Sequence, residues 1–156
     1  MRKLQLSFLL LIVAAFTLNA QRKGNLYLGF NIATTLEDSF ADSSYLLAAE
    51  VNYLFNVSEE FKIGPGVSLV NYFRSPTDFA QLFIVPKLDV FEKIAVGLDV
   101  GYAIGIRENN RNGFFLRPSI GYNVDDKTLL KLYYSNISNG GSSISNIGVA
   151  GIFQLW

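Results

Sequence analysis

The sequence predicts an all-β chain, an eight-stranded antiparallel up-and-down barrel, and three observations carry that expectation. Eight runs alternate large apolar residues with small or polar ones, which is the period of a strand and not of a helix. The connections after the even-numbered runs are short, while those after the odd-numbered runs are generally longer and more polar. The large apolar faces of these runs carry no charged residue.

Before the first run, Met1-Arg2-Lys3 leads into an apolar stretch from Leu4 to Leu18, and Leu18-Asn19-Ala20 precedes Gln21. A basic start, an apolar core and a small residue at the cut are the parts of a secretory signal peptide. Residues 1–20 are therefore expected to be removed, leaving 21–156 as one barrel domain. The stretch is short for a spanning helix, which needs roughly 20 apolar residues.

The first run sets Leu26, Leu28, Phe30 and Ile32 against Asn25, Tyr27, Gly29 and Asn31. A polar stretch containing Glu37, Asp38 and Asp42 follows and reads as a solvated loop. In the second run Tyr45, Leu47, Ala49, Val51, Tyr53 and Phe55 alternate with Leu46, Ala48, Glu50, Asn52 and Leu54. The third places Phe61, Ile63, Pro65, Val67 and Leu69 against Lys62, Gly64, Gly66 and Ser68. The fourth has the least clean faces, because Phe83 and Val85 share a side with Gln81, Lys87 and Asp89.

The fifth run is the most regular. Ile94, Val96, Leu98, Val100, Tyr102, Ile104 and Ile106 occupy one face, and Ala95, Gly97, Asp99, Gly101, Ala103 and Gly105 the other. After a polar loop, Phe114, Leu116, Pro118, Ile120, Tyr122 and Val124 oppose Phe115, Arg117, Ser119, Gly121 and Asn123. The seventh run sets Leu130, Leu132 and Tyr134 against Lys131, Tyr133 and Ser135. The last sets Ile147, Val149, Gly151, Phe153 and Leu155 against Asn146, Gly148, Ala150, Ile152 and Gln154, before Trp156.

Composition narrows the function classes. Lys and Arg number 13, as do Asp and Glu, so no basic footprint for nucleic acid is present. Histidine is absent, which removes the commonest general base and the commonest transition-metal ligand. Cysteine is absent too, so an exported chain of this size holds together by its core or its surroundings. No catalytic residue, metal site or cofactor is expected, and the serines have no recognisable base partner.

Alternation alone fits a soluble lipocalin-like carrier, apolar inside, or a membrane barrel, apolar outside. The small faces are too rich in glycine and too poor in charge for a water-exposed surface, and they suit the cramped interior of eight strands. Aromatic residues also gather at both ends of the apolar faces. Tyr53, Phe55, Phe61, Phe91, Tyr122 and Phe153 fall toward the short turns, and Phe30, Tyr45, Phe73, Phe79, Tyr102, Phe114 and Tyr134 toward the long loops, with Trp156 at the terminus. Two such bands are interfacial girdles, so the expected barrel is transmembrane, with outer-membrane lipid around it.

The Ala20-Gln21 junction, the eight runs and the aromatic terminus resemble small outer-membrane barrels of the OmpA/OmpX type. More closely they resemble the compact "outer membrane protein beta-barrel domain" family. The resemblance covers the whole chain after residue 20 and is one of pattern. It implies a place in the cell outer membrane and a last strand read by the barrel assembly machinery. Ile147, Val149, Gly151, Phe153 and Leu155 match an outward-facing terminal strand, while Trp156 falls one residue out of phase with it.

Inside such a barrel, Glu50, Asp89 and Asp99 meet Lys62, Lys87, Arg117 and Lys131. Extrapolating the hairpins places Lys62 opposite Asp89, Pro65 opposite Pro86, and Asp99 opposite Gly121, which in turn faces Lys131. Lys87 and Lys131 then converge on Asp99. The paired prolines confine their lost hydrogen bonds to one bulge, whereas Pro118 has no such account. A buried charge must be paired, so a salt-bridged plug is expected over a conduit. The expected protein is a monomeric outer-membrane barrel with a structural or surface-interaction role. A narrow pore for small or hydrophobic solutes and a secreted carrier are the alternatives.

Overall fold

The eight runs become eight strands: β1 (Gly24–Thr35), β2 (Tyr45–Asn56), β3 (Phe61–Tyr72), β4 (Asp78–Phe91), β5 (Ile94–Gly105), β6 (Gly113–Asn123), β7 (Thr128–Ser138) and β8 (Ser143–Gln154). The computed structural model describes residues 24–36, 45–73, 77–107 and 110–155. The 1–20 segment, the loop acids Glu37, Asp38 and Asp42, and Trp156 lie outside them. Each strand pairs antiparallel with the next, and β1 pairs with β8 from Tyr27↔Gln154 to Thr35↔Asn146, closing the barrel. Closure leaves no sheet edge unpaired, the condition for placing strands in hydrocarbon.

The alternation sets the two surfaces. Phe30, Ile32, Leu47, Leu69, Leu82, Leu98, Ile120, Leu132 and Val149 are exposed, while their neighbours on the other face are buried or partly buried. Among the described residues the outward positions of the strands carry one charged residue, Asp78, at the long-loop end of β4. It pairs there with Arg107 and accepts a hydrogen bond from Asn71 Nδ2 at 2.7 Å. An apolar belt without charge, around an interior that carries the polar and charged side chains, is the surface of a transmembrane β-barrel.

The registers differ from the extrapolated ones. Across β3–β4, Lys62 faces Lys87 and Pro65 faces Ile84, so the two prolines are not opposite each other. Across β5–β6, Asp99 faces Arg117 and not Gly121. The expected Gly121–Lys131 partnership is present, and Lys87 faces Gly97. A slip of two or four residues leaves every side chain on its own face, so the alternation cannot distinguish these registers.

The prolines have one common account. In an antiparallel strand a residue directs both its polar groups at the same neighbour, and proline lacks the donor. The β2–β3 pairing lapses between Asn52↔Gly66 and Phe55↔Ile63, around Pro65. The β4–β5 pairing lapses between Ile84↔Val100 and Lys87↔Gly97, around Pro86. The β6–β7 pairing lapses between Leu116↔Asn136 and Ser119↔Tyr133, around Pro118. Each proline keeps its partner on the other side: Ile84, Ile63 and Leu98 respectively.

Candidate functional site in the barrel lumen

The inward face of each strand delivers polar side chains to the lumen, and inward glycines on β1, β3, β5, β6 and β8 make room for them. Gly29 lies opposite Glu50, and a Cβ at Gly29 would collide with the Glu50 side chain and with Ile152. Glu50 is 1% exposed and is surrounded by donors. Arg117 Nη2 lies 2.6 Å from its Oε2, and Lys131 Nζ 3.6 Å from its Oε1. Asn31 Nδ2 donates to Oε2 at 3.2 Å and Asn52 Nδ2 to Oε1 at 3.0 Å.

Arg117 ties this group to Asp99. Its Nε and Nη2 both lie 2.8 Å from Asp99 Oδ2, and Lys131 Nζ is 3.5 Å from the same oxygen. Two buried cations thus meet two buried carboxylates at mid-barrel. The Arg117 guanidinium also sits among three rings, 5.1 Å from the Phe83 centroid, 5.5 Å from Phe115 and 5.4 Å from Tyr133. Aromatic faces attract a cation and keep water from it. Phe83, one of the two side chains that made the fourth run look irregular, therefore helps seal the charge cluster.

On the long-loop side of this cluster the lumen is filled. Tyr72 and Phe79 pack edge to face with centroids 6.2 Å apart, and Asn146 Nδ2 donates to Tyr72 Oη at 3.0 Å and Ser135 Oγ at 3.3 Å. Phe79 is 2% exposed, so it belongs to this packing and not to the outer girdle, because it shares a face with Gln81 and Phe83. The void left here is about 10 Å³, about the least volume that admits a water molecule.

On the short-turn side lies a cavity of about 750 Å³ that reaches the β2–β3, β4–β5 and β6–β7 turns. Its wall carries a second ionic group. Asp89 Oδ2 is 3.1 Å from Lys62 Nζ, its Oδ1 is 2.9 Å from Lys87 Nζ, and Asn123 Nδ2 donates to Oδ1 at 3.2 Å. Lys87 joins Asp89 and not Asp99, since the β5–β6 register has given Asp99 to Arg117. Lys62 meets Asp89 diagonally, across the register that sets it opposite Lys87.

At the barrel's surface, Tyr45, Phe73, Tyr102, Phe114 and Tyr134 are exposed toward the long loops, and Tyr53, Tyr122 and Phe153 toward the short turns. Sequence reasoning missed Asn146, Tyr72 and Ser135, which brace the filled half. Their signal was faint: inward polar or aromatic residues on faces otherwise made of small ones.

No protein-family model matches the chain, and no curated protein matches it. Solved structures share its fold. A de novo designed transmembrane β-barrel aligns with TM-score 0.62 at 12% identity, over 86% of this chain and 98% of that one. The Yersinia pestis outer membrane protein Ail aligns with TM-score 0.59 at 8% identity, over 85% and 100% of the two chains. The outer membrane enzyme PagL aligns with TM-score 0.60 at 9% identity, over 81% and 98%. The class these features define is a small eight-stranded transmembrane β-barrel. Its architecture is shared with outer-membrane barrels of diverse activity.

Proposed function

We propose that the chain is an integral outer-membrane barrel with a structural or surface-interaction role, exported behind the signal peptide at 1–20 and closed to solute flow. One observation carries the reading: the Glu50–Arg117–Asp99–Lys131 cluster, wrapped by Phe83, Phe115 and Tyr133, occupies the middle of the lumen. A pore of eight strands would need that space, and an eight-stranded interior is only wide enough for side chains to fill. The uncharged outer belt supports lipid as the surrounding medium, and the ordered last strand, β8, supports recognition by the assembly machinery. The absence of histidine in the sequence argues against the base-assisted nucleophilic chemistry of lipid-cleaving barrels.

Heat-modifiable gel migration of the isolated outer-membrane fraction tests barrel and location together. Unheated protein should run ahead of heated protein, and carbonate should not extract it. Release by carbonate or high salt would establish a soluble carrier instead.

A further inference from the structure

The charges in the lumen do not balance. Among the described residues, Glu50 and Asp99 match Arg117 and Lys131, whereas Lys62 and Lys87 share the single carboxylate of Asp89. Lys62 and Lys87 stand directly opposite in the β3–β4 register, a like-charge placement that is unfavourable without a counter-charge. Both Asp89 oxygens are already engaged. One cation is left over, in the wall of a cavity of about 750 Å³, a size typical of ligand sites. The turn residues Glu60, Glu92, Lys93, Asp125, Asp126 and Lys127 ring its mouth, but they are exposed, and water and salt screen their field.

The cavity also has an aliphatic side, to which Leu54, Val85, Leu129 and Ile152 contribute from four different strands, beside polar lining from Asn52, Ser119, Asn123 and Lys131. We propose that this vestibule binds an amphipathic monoanion, a carboxylate or phosphate on an aliphatic body, that enters from water at the short-turn rim. The anionic head sits at Lys62 and Lys87, and the body lies against the four aliphatic side chains. The inference stands on the cavity and its charges and is independent of where in the cell the barrel resides.

The test uses the barrel in phosphatidylcholine nanodiscs with Leu, Val and Ile methyls labelled for NMR. Octanoate should shift the Leu54, Val85, Leu129 and Ile152 methyls saturably, while octyl glucoside and acetate at equal concentrations leave them in place. Lys62→Gln removes the surplus cation and leaves the Lys87–Asp89 pair, so it should weaken octanoate by about tenfold or more, the loss expected for a charge-assisted hydrogen bond. Asp89→Asn should tighten it. Equal shifts with octyl glucoside would overturn the anion, equal shifts with acetate the aliphatic body, and unchanged affinity in Lys62→Gln the site itself. Discs containing phosphatidylglycerol should show unshifted methyls before octanoate is added. Methyls already shifted there would overturn access from water.

Discussion

The two halves of the lumen come from the same strands and the same alternation, yet one is solid and the other hollow. Toward the long loops, the inward positions hold Leu46, Val70, Tyr72, Phe79, Phe115 and Ile137, all buried, and glycines and alanines on β5 leave space for the rings. Toward the short turns, they hold Ala95, Gly97, Ser119, Gly121 and Ala150, with lysines lying along the wall. The boundary is the Arg117 cluster. Each half solves a different problem: the filled half excludes water from buried charges, and the hollow half keeps its lysines near water. A buried ion group survives only when its partners are complete, and Arg117 has carboxylates on two sides and rings around it.

The largest loss is expected at Arg117, on the boundary between the two halves. Arg117→Ala leaves Glu50 and Asp99 buried with Lys131 alone and should cost about 3–5 kcal/mol, measured by urea unfolding in lipid vesicles. Phe115→Ala removes a fully buried ring from the solid half and should cost about 3–5 kcal/mol, whereas Leu129→Ala, facing an existing cavity, should cost about 2 kcal/mol. Two glycines on one strand sharpen the contrast. Gly101→Ala drives a Cβ into the Leu82 carbonyl and Phe83, for an expected loss of about 1–3 kcal/mol. Gly97→Ala meets only the Ser119 hydroxyl and, at 3.4 Å, the Pro86 carbonyl oxygen, and should cost less than about 1 kcal/mol. The smallest effect is expected at Lys62, whose side chain is 20% exposed; Lys62→Gln should change stability by less than about 1 kcal/mol.

Strand number, order and the facing of nearly every side chain were legible in the sequence, because the Ile94–Gly105 pattern and its seven counterparts admit one periodicity. Phe79 was the misplaced ring: its nearness to a loop suggested the girdle, while its phase with Gln81 and Phe83 placed it inside. The register was not legible, for a physical reason. The five residues between β3 and β4 and the seven between β5 and β6 are long enough to permit slips by an even number, and such slips preserve every face. The seven lumen charges could thus be read, and with them the Lys62–Asp89 and Lys131–Asp99 pairs, but not Lys87 beside Asp89 or the carboxylate partners of Arg117. Arg117 as the bridge between Glu50 and Asp99, and the rings around it, emerge only when the register is known.

The proposed closure of the barrel by the mid-lumen cluster is checked by single-channel recording of the purified, refolded protein in planar bilayers. A closed lumen predicts no steady conductance across the barrel, with the bilayer current staying at its protein-free baseline. Long-lived, reproducible open-channel steps would contradict it.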